Sequence, residues 1–215
     1  ALQIDPVFCN LLVQRGITTL EAAQHFFRPK WEDLHDPFLM QDMDRAVGRL
    51  DQALKSGERI LLYGDYDVDG TTSVALMYSF LSRFYQNLDY YLPDRDKEGY
   101  GVSLAGVEYA REQGCALVIA MDCGIKAHDA VIIAKSYGID FIICDHHLPE
   151  GGLPDAVANL DPKRPDCMYP YKDLSGCGIS FKFAQALALY NNTPAEELMG
   201  LLDLVAVSIA CDIVP

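Results

Sequence analysis

From Glu58 onward, short apolar runs alternate with longer amphipathic stretches. The runs Arg59–Tyr63, Asp89–Leu92, Ala116–Met121 and Phe141–Cys144 have strand length and aliphatic content, and Ala156–Leu160 adds a fifth. Between them, Thr71–Tyr85, Leu104–Gln113 and Ala127–Tyr137 repeat apolar residues at helical spacing. This alternation predicts an α/β fold, a parallel sheet with helices on both faces. Two helices, Ile179–Tyr190 and Pro194–Asp212, are predicted to follow. Residues 1–56 read differently: helical patterns interrupted by Pro29 and Pro37, then an amphipathic stretch at Asp44–Lys55 with Ala46, Val47, Leu50 and Leu54 on one face. The expectation is a helical lead-in over 1–56 packed on a main domain over 57–215. Phe26, Phe27 and Trp31 are expected in the core rather than as a base-stacking platform.

Half of the 215 residues are hydrophobic, enough for a substantial core. The net charge of −14 is a poor match to a general nucleic-acid surface, although carboxylates gathered around a metal add to that tally. Seven cysteines without a CxxC pair, and no signal-peptide pattern at the start, lead to an expected reducing, cytoplasmic setting. Leu198–Val214 is the most apolar stretch, but Asp203 and Asp212 interrupt it, which predicts a buried helix and no membrane association. The chain opens on Ala1 rather than methionine and closes just after that helix, as expected of an excised fragment.

The candidate chemistry lies at the strand ends, where ligands bind in such folds. Asp65-Tyr66-Asp67-Val68-Asp69-Gly70 follows the first strand; read as extended backbone, its three carboxylates share one face. Such crowding suits a divalent cation. The third strand leads to Asp122, and the fourth to Asp145-His146-His147. Carboxylate with imidazole suits Mn²⁺ better than Ca²⁺. An EF-hand loop starting at Asp65 needs an acid at its twelfth position, where Leu76 stands. A phosphatase nucleophile at Asp67 leaves the paired histidines without a role. Gly176 and Gly178 precede a helix, where backbone N–H groups can hold a phosphate. The charged loop Asp94–Tyr100 offers Arg95 and Tyr100 to a substrate, while Lys163-Arg164 reads as surface. His25, His35 and His128 have no partnered spacing.

Asp-His-His with an upstream Asp-x-Asp and an intervening strand-end Asp resembles the DHH phosphoesterase superfamily. Within it, Gly64-Asp65-Tyr66-Asp67-Val68-Asp69-Gly70, Glu98-Gly99-Tyr100-Gly101, Pro162-Lys163-Arg164-Pro165 and Ser175-Gly176-Cys177-Gly178 are similar to the RecJ family of single-strand-specific 5′→3′ DNA exonucleases. The resemblance spans nearly the whole chain. It implies a phosphodiesterase with two Mn²⁺ or Mg²⁺ ions, releasing nucleoside 5′-monophosphates from single-stranded DNA. Metal contacts fall to Asp67, Asp69, Asp122, His146 and a late aspartate, with Asp69 and Asp122 bridging and His147 beside the phosphate. Some branches carry a histidine four residues before Asp67; Tyr63 stands there, with Asp65 substituting or supporting. Asp203 and Asp212, nine residues apart, would point opposite ways on one helix; the family's last motif matches at Asp212. Family members continue into a DHHA1 domain, and RecJ proteins also use an OB-fold; neither is in this sequence, so weak or absent activity of the fragment is expected. Hydrolysis of short oligonucleotides, cyclic dinucleotides or pyrophosphate, or a non-catalytic binding role, are the alternatives.

Overall fold

The computed structural model describes residues 4–214. The chain divides between Asp36 and Pro37 into two compact units. The first holds α1 (Pro6–Gln14) and α2 (Leu20–Phe27), each started by a side-chain cap: Asp5 accepts from the Val7 N–H at 2.9 Å, and Thr19 from that of Ala22 at 3.1 Å. Phe26 and Phe27, expected in the core, are instead half exposed, edge-on to each other at 5.3 Å. They are adjacent on a short helix, so one apolar stripe cannot bury both.

In the second unit, α3 (Met43–Ser56) buries Ala46, Val47 and Leu50; it belongs with the sheet rather than with α1 and α2. β1 (Ile60–Gly64), α4 (Val68–Leu81), β2 (Leu88–Tyr91), α5 (Arg95–Glu98), α6 (Leu104–Glu112), β3 (Leu117–Met121), α7 (His128–Ser136), β4 (Asp140–Cys144) and β5 (Ala158–Leu160) follow. α8 (Gly176–Tyr190), α9 (Glu196–Met199) and α10 (Leu202–Asp212) close the unit. All strand pairs are parallel, in the order β2-β1-β3-β4-β5. Leu61, Val118, Ala120, Phe141 and Ile143 pack on one face with Val107 and Ala110 of α6 and Val131 and Ala134 of α7. α4 and α8 pack against strands and each other on the opposite face, with α3 and α10 beside them. Burial on both faces explains why β1 and β3 are continuous apolar runs without alternation.

The strand order reverses between β1 and β3, where the crossovers leave in opposite directions. A crevice opens at such a point beyond the carboxyl ends of the strands.

The single helix predicted over Pro194–Asp212 is broken between Met199 and Leu202. It is also not buried: Val207, Ile209 and Ile213 are exposed, and Ser208 is the buried residue of α10. Arg164, expected at the surface, is 5% exposed. It donates to Asp42 and Asp166 at 2.6 Å each and to the Asn159 carbonyl at 2.7 Å, a paired arrangement that makes burial of a guanidinium tolerable.

Candidate metal centre

β1 ends at Gly64 and α4 begins at Val68, so Asp65–Gly70 is a strand-to-helix turn. This corrects the extended reading of the three acids. Asp67 is the helix cap, its carboxylate accepting from the Gly70 N–H at 2.9 Å, and Asp69 lies in the first helical turn. Capping and the helix dipole both favour acids there, which outweighs continuation of the strand. The turn is tight: a Cβ on Gly70 would lie 2.4 Å from the Asp65 carbonyl oxygen. Asp65 is buried, accepts from the Tyr66 and Gly101 N–H groups, and is held above the usual carboxylate range, chiefly by burial.

β3 delivers Asp122 with φ 59°, a left-handed conformation that Asp tolerates better than most residues. Its N–H donates to the Cys144 carbonyl at 2.8 Å, anchoring the bend to β4. Burial above all, then the charges of Asp69, Asp67 and Asp145, push its carboxyl up to about 10. Gly176 sits directly against it; a Cβ there would meet the Asp122 Cβ at 2.6 Å.

β4 delivers the triplet. Asp145 is used internally: Oδ1 accepts from the N–H of His146 (2.7 Å), the N–H of His147 (3.1 Å) and His147 Nδ1 (2.7 Å), and Oδ2 from the Ile125 N–H (2.9 Å). Burial works to raise Asp145, but the His147 hydrogen bond and charge outweigh it and hold it low. His147 is raised in turn, first by its hydrogen bond to Asp145. The Tyr100 hydroxyl lies 3.0 Å from His147 Nε2.

His146 is the hub. Its Nε2 lies 3.2 Å from Asp122 Oδ1, 3.7 Å from Asp212 Oδ2 and 3.8 Å from Asp69 Oδ2. Three sets bring ligand atoms within 4.8 Å of one another: Asp122 with His146 and His147, Asp69 with His146 and Asp212, and Asp65 with Asp67 and Asp122. The structure thus gathers Asp65, Asp67, Asp69, Asp122, His146, His147 and Asp212 at one place. Asp203 is exposed and accepts from the N–H of the next residue, Leu204.

Gly176 and Gly178 behave differently from a phosphate cradle. The Gly176 N–H donates to Asp69 Oδ2 at 2.6 Å and the Gly178 N–H to Ser175 Oγ at 3.1 Å, both buried. The start of α8 therefore holds a carboxylate of the chain itself, which binds its N–H groups as a phosphate would. Arg95 stands outside the acid cluster, its guanidinium 5.2 Å from the Tyr66 ring centre. The charged segment around it is ordered as the helical turn α5: Asp94 caps the Asp96 N–H, and Glu98 reaches back to the Asp94 N–H.

Asp161 went unnoticed in the sequence. It follows β5, is fully buried, and burial pushes it up to about 7, with Asp145 and His146 among the charges it feels. The strand-end rule that found Asp122 would have found it too. Ser208 was also missed, because a serine in an apolar helix carries no pattern.

The donor set fits a divalent cation. Among the described residues, Asp65 Oδ1, Asp122 Oδ1, His146 Nδ1 and His146 Nε2 are buried polar atoms without a protein hydrogen-bond partner. Buried atoms of this kind are rare unless something satisfies them. All four belong to residues of the gathered sets, where carboxylate oxygens and imidazole nitrogen offer the mixed donors that Mn²⁺ or Mg²⁺ accepts.

Residues 59–209 match the family model described as "DHH family, N-terminal domain". The single-stranded-DNA-specific exonuclease RecJ of Bacillus subtilis (strain 168) is 44% identical over 214 residues, covering all of this chain and 26% of that protein. A crystal structure of exonuclease RecJ bound to manganese matches with TM-score 0.74 and 30% identity, covering 82% of this chain and 44% of that one. RecJ from Thermus thermophilus in complex with Mn²⁺ matches with TM-score 0.76 and 25% identity, over 95% of this chain and 28% of that one. The chain thus spans about a quarter of the length of its Bacillus relative. With this match over residues 59–209 and these relatives, the chain belongs to the DHH family.

Proposed function

We propose that this chain is the metal-binding catalytic domain of a RecJ-like 5′→3′ exonuclease that hydrolyses single-stranded DNA to nucleoside 5′-monophosphates with Mn²⁺ or Mg²⁺. The convergence of Asp69, Asp122 and Asp212 on His146 Nε2 carries the reading. Asp67, Asp69, Asp122, His146 and Asp212 would hold the ions, with Asp65 in support. Bound there, divalent ions supply positive charge to the phosphoryl group and ease deprotonation of water. The chain's own residues do the rest. Asp145 holds His147 by its Nδ1 and favours the protonated ring, which offers a donor to a phosphate oxygen. Tyr100 touches that ring and limits its rotation. Arg95, braced on Tyr66, presents its charge to the substrate backbone.

The acidic surface leaves the isolated chain a weak grip on long DNA, which favours a second reading: hydrolysis of short oligonucleotides, cyclic dinucleotides or pyrophosphate. A cytoplasmic setting belongs to the same proposal; all seven cysteines are free, and among the described residues no helix is long and apolar enough to cross a membrane.

The test is a panel with Mn²⁺: 5′-labelled single-stranded DNA, a dinucleotide, a cyclic dinucleotide and pyrophosphate. Labelled mononucleotide from DNA, lost in Asp122→Ala, supports the exonuclease. Turnover of the small substrates alone moves the assignment to another DHH phosphoesterase. Anomalous scattering from Mn²⁺-soaked crystals with no ion near Asp122 and His146 would overturn both.

A further inference from the structure

Asp69 is held by three donors. Its Oδ1 accepts from the Cys177 N–H at 2.7 Å and from Ser208 Oγ at 2.6 Å. Its Oδ2 accepts from the Gly176 N–H at 2.6 Å and lies 3.8 Å from His146 Nε2. A carboxylate offers about four lone-pair directions. Three are taken by the protein, and the fourth, on Oδ2, faces the gathered ligands.

Ser208 Oγ also lies 2.6 Å from Ser175 Oγ, which accepts from the Gly178 N–H at 3.1 Å. A hydroxyl has one proton, and an ionised carboxylate can only accept. The protons therefore run one way: Gly178 N–H to Ser175, Ser175 to Ser208, Ser208 to Asp69. Hydrogen bonds in such a chain polarise and strengthen one another. All three side chains are at most 2% exposed, so water does not compete. Ser208 stands four residues before Asp212 on α10, hence on the same helix face. One helix face thus contributes a ligand, Asp212, and fixes the rotation of another, Asp69.

We propose that Ser208, backed by Ser175, is a positioning residue that sets Asp69 to bind metal through Oδ2 alone. Resting on the metal-centre reading above, this assigns a task to a residue outside the ligand set. Removing an outer partner of this kind costs about 10–100-fold in metal affinity.

The experiment is an Mn²⁺ titration of wild type, Ser208→Ala and Ser208→Thr by calorimetry, with folding followed by circular dichroism. The expected result is a loss of about 10–100-fold in affinity for Ser208→Ala at retained fold, with Ser208→Thr, which keeps the hydroxyl, closer to wild type. A residue that only packs would lower the melting temperature and leave Mn²⁺ affinity alone; that result overturns the proposal. If Ser208→Ala does not fold, Ser208→Thr against Ser208→Val at matched size isolates the hydroxyl, and equal affinities sink the idea. Absence of Mn²⁺ binding by the wild type would instead strike the metal-centre reading itself.

Discussion

An exposed aspartate is ionised at neutral pH, whereas Asp122, pushed up to about 10 by burial and then by the charges of Asp69, Asp67 and Asp145, retains its proton. A cation must displace that proton. Mn²⁺ binding is therefore expected to release about one proton near pH 7, and affinity to rise up to about tenfold per pH unit. Calorimetry in buffers of different ionisation enthalpy counts the proton. The same groups set the stability of the chelated protein. Asp122 and Asp161 keep protons in the fold that the unfolded chain releases near pH 4, so their contribution drains as pH rises. The His147 contribution is present below its ordinary value of 6.5 and is lost as pH climbs through its raised folded value. Asp145 has the opposite sign, but its gain is already complete above its ordinary value of 3.8 and is lost only as pH falls below it. Melting temperature in EDTA should thus fall from about pH 5 to pH 9, and Mn²⁺ should reverse the fall. Asp145→Asn tests the other half of the site. It weakens charge-assisted bonds to three N–H groups and an imidazole, with an expected cost of about 1.5–3 kcal/mol in denaturant melts. The His147 ring should then titrate lower by NMR.

The elements were legible where the chain is periodic. The predicted strand at Phe141–Cys144 is β4 extended by one residue, and the predicted helix at Leu104–Gln113 is α6 to within one residue. The misreading came at Asp65–Gly70, where alternating acids imitate a strand but Asp67 caps a helix. Local capping competes with β-alternation over the same residues, and only the path of α4 back across the sheet shows which prevails. Gly70→Ala measures how tight that junction is. Alanine is the better helix former, yet its Cβ would strike the Asp65 backbone at 2.4 Å. Destabilisation of about 1–3 kcal/mol and weakened Mn²⁺ binding are expected from melts and titration. The other failure was α10, whose apolar run suggested a buried helix. Hydropathy records what a segment can bury, not what lies next to it.

At the scale of the molecule, the acidic composition sets the proposed cation site in an electronegative field. It should bind single-stranded DNA weakly, with a shallow dependence on salt because few phosphates are neutralised. Fluorescence anisotropy between about 50 and 200 mM salt reads both quantities. Tight binding with a steep slope would show a basic track that the composition does not suggest.

By itself, the sequence determined the α/β alternation and the strand and helix ends that present acids and histidines, Asp67, Asp69, Asp122, His146, His147 and Asp212. Period and composition are local properties, and a parallel sheet puts every strand's carboxyl end on one edge. The tertiary structure alone decided the division of labour. It turned Asp145 inward to hold His147, committed the Gly176 N–H to Asp69, buried Asp161, and joined Ser208 to Asp69 across 139 residues of sequence. Those assignments depend on which lone pair faces which donor. That orientation is set by the packing of α4, α8 and α10 and leaves no periodic trace in the chain.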